Sequence, residues 1–125
     1  MTIIQAITAV DELRKNMIDV NVKKALLSEL DGRIYFEIID PYGKVGDFKG
    51  YDSHTSEETA LLTPYPYDSL YLSYLEQEIA RMSNELPRYN NARIIFNERF
   101  EAFRKWWTRT HEPPSVNITL PMRRY

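Results

Sequence analysis

A chain of 125 residues, 43% apolar and 27% charged, has the length and composition of one globular domain with a single core of modest size. The absence of cysteine excludes disulfides, thiolate catalysis and cysteine-held zinc, and favours a protein that works inside a cell or an assembled particle. A net charge of −2 argues against a general nucleic-acid binder, yet it hides a polarity: residues 1–85 carry 8 basic and 15 acidic side chains, net −7, and residues 86–125 carry 8 and 3, net +5.

The two parts should attract, within one subunit or between the front of one copy and the back of the next. The opening "MTIIQAITAVDELRK" has neither a basic lead nor a long apolar core, and no run approaches the ~18 apolar residues of a membrane span. Neither a secretory signal nor a transmembrane segment is expected.

Ile3, Ala6 or Ile7, Val10 and Leu13 recur at helical spacing with Asp11 and Glu12 outward, which predicts a first helix. After "NMIDVN", where Asp19 or Asn21 can cap, Val22, Leu26, Leu30, Ile34 and Ile38 follow every fourth residue. A second helix should run to about Ile39. Gly32 and the β-favouring "RIYFEII" also allow a short strand at its end.

Residues 40–63 hold three of the four glycines and few periodic apolar side chains, and read as loop. A connection of that length is either a surface insertion or a functional loop that orders on a partner. A third helix begins in "PYPYDSLYLSYLEQEIARMSNEL", with Pro66 suited to a first turn and Asp68 to the cap or the amino-terminal dipole. Leu70, Tyr74 or Leu75, Ile79, Met82 and Leu86 recur on one side. Pro87 then removes a donor and should push Leu86 from helical angles. One unbroken helix over residues 68–109 would extend roughly 63 Å at 1.5 Å per residue. A compact chain of this size has a radius of gyration of about 14 Å. A turn near Asn84 to Pro87, giving an antiparallel hairpin, is therefore expected over a kinked rod.

The fourth helix carries "RYNNARIIFNERFEAFRKWW". Tyr89, Ala92, Phe96, Phe100, Phe103 and Trp107 advance by three or four residues, the seam of a helix packed along other helices. Arg88, Arg93, Arg99, Arg104 and Lys105 fall largely off that seam, and Trp106 and Ile95 widen the apolar stripe. Asn84, Asn90, Asn91 and Asn97 are mediocre helix formers. Capping and solvation explain them as well as hydrogen bonding to a neighbouring chain does. Pro113 and Pro114 end the helix, and "SVNITL" within the last residues reads as an extended arm over 113–125 that lies along another surface or a sheet edge. The fold expected is mainly α: a small helical bundle over residues 1–112 with an antiparallel helical hairpin, a mobile central loop and an extended carboxy-terminal arm.

No catalytic, cofactor or metal constellation emerges. His54 and His111 sit in a loop and at a helix end, and "HEPP" lacks the H-E-x-x-H spacing that puts two ligands one turn apart. "GKVGDFKG" fits no phosphate-cradling pattern. "NIT" at Asn117 matches a glycosylation pattern, but without a signal peptide it reads as chance. A hydrolase would need a concave pocket gathering His111 with acids. Nucleic-acid binding has more support, since rings interleaved with cations can stack bases and neutralise phosphates, but these rings keep a core period.

Several strings carry a resemblance: "PYDSLYLSYLEQEI", "NE" followed by "RYNNA", "FN" at 96–97 and "WWTRTHEP", with "AVDELRKN", "LLSELDGRIYFEII" and "GYD" in the front part. Together they are similar to the small head-tail connector, or head-completion adaptor, proteins of tailed bacteriophages and prophages of Gram-positive bacteria. Pro87 stands where that pattern expects a helix-compatible polar residue. The resemblance implies a structural, non-enzymatic, mostly helical subunit of the virion, assembled in the host cytoplasm. It would form a ring with copies of itself beneath the portal, meet tail or head-completion proteins, and pass DNA as cargo, with no cofactor and no membrane. Candidate contact residues are Tyr42, Phe48 and Tyr51 in the loop, Asn90, Asn91, Asn97, Arg99, Arg104 and Arg109 on the fourth helix, and Val116, Ile118 and Leu120 in the arm. The alternative is a small nucleic-acid-associated or regulatory binding module.

Overall fold

The computed structural model describes residues 1–44 and 46–111. Four helices account for most of it: α1 (Ile3–Leu13), α2 (Val20–Ile34), α3 (Leu70–Met82) and α4 (Leu86–Thr110). A π-helical turn (Tyr35–Ile39) extends α2, and a 3-10 turn (Tyr67–Ser69) leads into α3. Among the described residues there is no strand, only an isolated antiparallel bridge between Thr2 and Ala60. No helix there is long and apolar enough to cross a membrane.

α1 starts on a reciprocal cap. The Thr2 hydroxyl accepts from Gln5 N at 3.2 Å, and the Gln5 side chain accepts from Thr2 N at 2.9 Å. Two more first-turn donors, Ile3 N and Ile4 N, are taken by the Thr59 and Glu57 carbonyls of the loop. Ile3, Ala6, Ile7 and Val10 are buried, whereas Leu13, expected to complete the stripe, is exposed in the last turn. Asp19 does cap α2, but through its carbonyl, which accepts from Val22 N and Lys23 N; its side chain makes no cap bond.

α2 buries Leu26, Leu27, Leu30 and Ile34, while Val22 faces solvent in its first turn. The segment left open between helix and strand is helical. Asp40 N donates to the Tyr35 carbonyl five residues back, and this wider turn keeps Ile38 buried below Ile34. Local β preference yields here to burial against the rest of the chain.

α3 and α4 form the antiparallel hairpin. At the end of α3, Asn84 is left-handed (φ 59°), Asn84 N donates to the Arg81 carbonyl and Glu85 N to the Ala80 carbonyl, a pair of bonds that closes a helix at its carboxyl end. The turn lies where it was expected, but Pro87 does not make it. Leu86 is the first residue of α4 and Pro87 sits in the first turn, where a missing N–H costs nothing. Leu86 and Met82, expected to close the stripe of α3, are exposed beside this turn.

The aromatic seam of α4 is core. Phe96, Phe100 and Phe103 are buried, Ala92 with them, and Tyr89, Trp106 and Trp107 are half-buried. Tyr74 of α3 meets Phe96 at 5.2 Å between ring centroids, Tyr67 stacks on Trp106 at 5.1 Å, and the Arg33 guanidinium of α2 lies 4.3 Å above the Phe100 ring.

The central loop, expected as a surface insertion, is bonded to α2. Lys24, Ser28 and Asp31 stand one turn apart on α2 and fasten it. Lys24 is buried and its Nζ donates to the Thr55 carbonyl at 2.6 Å; Ser28 Oγ accepts from Tyr51 N at 2.9 Å. Asp31 is fully buried, and its carboxylate accepts from the Tyr51 hydroxyl (2.6 Å), the Tyr71 hydroxyl (2.6 Å) and Leu62 N (3.1 Å). Burial pushes its pKa up, against the pull of these three donors. Gly50 allows the approach: its φ is +81°, and a Cβ there would lie 2.7 Å from Ser28 Oγ.

Candidate interaction surface

The face of α4 turned away from the hairpin presents Asn90, Asn91, Ile94, Asn97, Glu98, Glu101, Lys105 and Arg109, all exposed. Ile94 is 59% exposed and Ile95, on the flank, 42%; Leu86 extends the apolar strip at 65%. Asn90, Asn91 and Asn97 make no side-chain hydrogen bond among the described residues, so each keeps a donor pair and an acceptor turned outward.

The cations divide into two sets. Arg99 reaches across to α3, donating to Ser73 Oγ at 2.6 Å and the Ser69 carbonyl at 3.2 Å. Arg104 pairs with Glu101 (3.3 Å) and Glu37 (3.7 Å) and lies over Phe100. Both candidate contact residues are thus engaged within their own chain and are not free cations. Arg88 pairs with Glu85. Arg93, Lys105 and Arg109 are exposed and make no ion pair among the described residues. On the front part Glu12, Asp47, Glu57 and Glu58 are exposed in the same condition. Part of the charge polarity is thus consumed inside the chain, through Arg104 with Glu37 and Arg88 with Glu85, and part faces outward.

In the loop, Tyr42 is exposed with the Lys44 ammonium 5.9 Å from its ring centroid. Phe48 and Tyr51 are half-buried and turned inward. Phe48 stacks on Tyr35 at 5.7 Å and meets Tyr51 edge-on, and the Tyr51 hydroxyl is spent on Asp31. Of the three loop candidates only Tyr42 stands out from the surface. Val116, Ile118 and Leu120 lie outside the described residues.

No protein-family model matches the chain, and comparisons with curated proteins and with solved structures find no match.

A groove of about 640 Å³ runs between the π-helical turn with the segment after it and the end of α4. Ile38, Ile39, Pro41 and Tyr42 form one wall, Trp107, Thr108 and His111 the other, with Glu37, Asp40, Lys44 and Arg104 at the edges. It does gather His111 with two acids, as a hydrolase would require, but the hydrogen bonds are wrong for that chemistry. His111 Nδ1 lies 3.2 Å from the Trp107 carbonyl and 2.8 Å from Thr110 Oγ1. The Thr110 hydroxyl lies within reach of the Trp106 carbonyl at 2.9 Å as well as of His111, so neither group is directed into the groove toward Glu37 or Asp40. Glu37 is paired with Arg33 and Arg104, and Asp40 accepts from Lys44 N at 2.8 Å. The imidazole instead stacks flat on Trp107, 3.7 Å between centroids.

Asp31, Lys24 and Ser28 are the consequential polar residues that sequence reasoning missed. A signal existed: their spacing of four and three residues interleaves with Leu27, Leu30 and Ile34, so a polar stripe shares the buried side of one helix.

Proposed function

We propose that this chain is a structural subunit of a phage head-tail connector, assembling as a ring of identical copies between the portal and the tail or head-completion proteins in the virion, with DNA as passing cargo. The observation that carries the reading is the outer strip of α4, where Leu86, Ile94 and Ile95 lie exposed beside three asparagines that have no partner in their own chain among the described residues. An apolar strip flanked by unspent amides is a surface suited to close contact with protein, where those amides find partners. A ring needs heterologous contacts, one surface meeting a different one on the next copy. Arg93, Lys105 and Arg109 on one side and Glu12, Asp47, Glu57 and Glu58 on the other, without ion pairs among the described residues, supply a complement of that kind.

The reading as a nucleic-acid-associated module has less support, because Arg99 and Arg104 are engaged by α3, Glu101 and Glu37. The deciding measurement is native mass of the purified chain alone and mixed with portal or tail-completion proteins. Ring-sized or mixed species support the connector. A chain that stays monomeric with every such protein, but binds duplex DNA with steep salt dependence, overturns it.

A further inference from the structure

We propose that Met17 is a docking knob that enters the groove beside the π-helical turn on the next copy of this chain. The inference rests on the ring reading and names one contact between copies. Met17, in the turn between α1 and α2, is 100% exposed, yet the residues on either side of it are held. Asn16 Nδ2 donates to Asp11 Oδ1 and to the Arg14 carbonyl, both at 3.0 Å, and Asn16 Oδ1 accepts from Ile18 N at 3.1 Å. Ile18 packs half-buried against the core. An apolar side chain presented on so braced a turn has only its own rotamers to lose on docking.

The knob cannot serve its own groove. Arg14, three residues before Met17, bonds Glu85 at 2.6 Å, which sets the turn at the end of the bundle where α3 passes into α4. The groove lies at the opposite end, where Trp107 and His111 close α4. The 25 residues of α4 run between the two, roughly 37 Å at 1.5 Å per residue. A knob at one end and a hollow at the other make a head-to-tail contact, the heterologous kind from which a ring is built. Their chemistry agrees as well. The groove, about 640 Å³, offers an unbranched thioether the apolar Ile38, Ile39 and Pro41 on one side and the rings of Tyr42, Trp107 and His111, which sulfur favours. Beside Met17, Glu12 and Lys15 are exposed and make no ion pair among the described residues. At the groove edge stand Lys44, exposed and in the same condition, and Glu37, shared between Arg33 and Arg104. Glu12 toward Lys44 and Lys15 toward Glu37 set opposite charges against each other around the knob.

The chain has no cysteine, so single replacements report contacts without background. Met17→Cys is mixed in equal amounts with Tyr42→Cys on the groove wall, and separately with Thr8→Cys, exposed midway along α1, under conditions that give ring-sized species. Under mild oxidation the first mixture should form covalent heterodimers, identified by peptide mass, roughly tenfold or more faster than the Thr8→Cys control. In the cysteine-free chain Met17→Asp should lower the yield of oligomers roughly tenfold or more, since docking then buries a carboxylate, whereas Met17→Leu keeps the apolar bulk and the yield. Helical circular dichroism of every variant should match the parent, because each replaced side chain is exposed. Ring-sized species in which Met17→Cys joins Tyr42→Cys no faster than the control, or that persist at full yield in Met17→Asp, would overturn this contact and leave the ring reading standing. A chain that forms no oligomer, alone or with portal protein, would remove both.

Discussion

The Tyr71 hydroxyl lies 2.6 Å from Asp31 Oδ1 and joins residues forty positions apart, with no solvent reaching either side chain. The same hydroxyl accepts from Thr63 N at 2.8 Å, so one oxygen ties α2, α3 and the end of the central loop. Tyr71→Phe removes both bonds while keeping the ring. It leaves a buried carboxylate one donor short and a buried amide without an acceptor, at about 3 kcal/mol. Tyr51→Phe removes one bond at the half-buried rim and should cost less, about 1.5 kcal/mol. Urea denaturation of the two variants measures the order, and equal losses would refute the larger role of the Tyr71 hydroxyl.

Asp31 also sets a pH dependence. Burial raises its pKa above the ordinary 3.8 despite the hydrogen bonds from Tyr51, Tyr71 and Leu62. A carboxyl whose folded pKa is raised binds its proton more tightly in the native state. Its contribution to stability is therefore fully present below pH 3.8 and declines as pH climbs through the folded value. Asp11 runs the other way. Burial raises its pKa, but the bonds from Lys23 and Asn16 and the Lys23 charge prevail and leave it lowered, so its contribution is present above 3.8 and fades as pH falls. Comparison of the wild-type chain with Asp31→Asn cancels the Asp11 part. The stability difference between the two should fall as pH rises above 3.8, read from denaturant midpoints; a difference that grows with pH contradicts the raised value.

Gly50 stands where the central loop passes closest to Ser28 of α2. Gly50→Ala places a side chain at φ +81° and within 2.7 Å of Ser28 Oγ, so the hydroxyl must give way and the Tyr51 N–H bond to it is strained. A loss of about 1–3 kcal/mol follows from the backbone conformation alone. Limited proteolysis should then cut the loop faster than in the parent chain, while Gly43→Ala, with nothing near its Cβ, pays only the backbone term. Equal cleavage of both variants would remove Ser28 from the account.

The difference between what sequence showed and what it hid has a physical basis in these same elements. Phe96, Phe100 and Phe103 were legible because a helix packed lengthwise must repeat its apolar side every three or four residues. The place of the turn was legible from Pro87 and from the length an unbroken helix would need, although the left-handed Asn84 makes it and not the proline. The partners of Arg99 and Arg104 within the chain were not legible because helical position separates a stripe from its flanks but says nothing of the neighbour beside each flank. Ser73 and Glu37, which receive them, are far away in sequence. Phe48 and Tyr51 looked like exposed loop aromatics for the same reason: Tyr35 and Asp31, which hold them, belong to α2 and its π-helical extension.

On the proposed connector reading, substitutions on the outer face of α4 should change assembly without changing folding. Phe100→Ala empties core packed beneath Arg33 and should cost about 3–5 kcal/mol. Ile94→Asp and Ile95→Asp alter side chains already in water and should change the stability of the isolated chain by about 0.5 kcal/mol or less. If the strip is the contact between copies, each of these two variants buries an unpaired carboxylate on assembly and should abolish ring-sized species in mixtures with portal protein. Asn91→Ala should weaken them less, since it removes hydrogen-bonding groups without adding a charge. Light scattering on the mixtures, with melting curves of each chain alone, reads both effects at once. Rings that form normally from the two aspartate variants would move the contact elsewhere on the subunit, and variants that unfold in isolation would show that Ile94 and Ile95 serve the core after all.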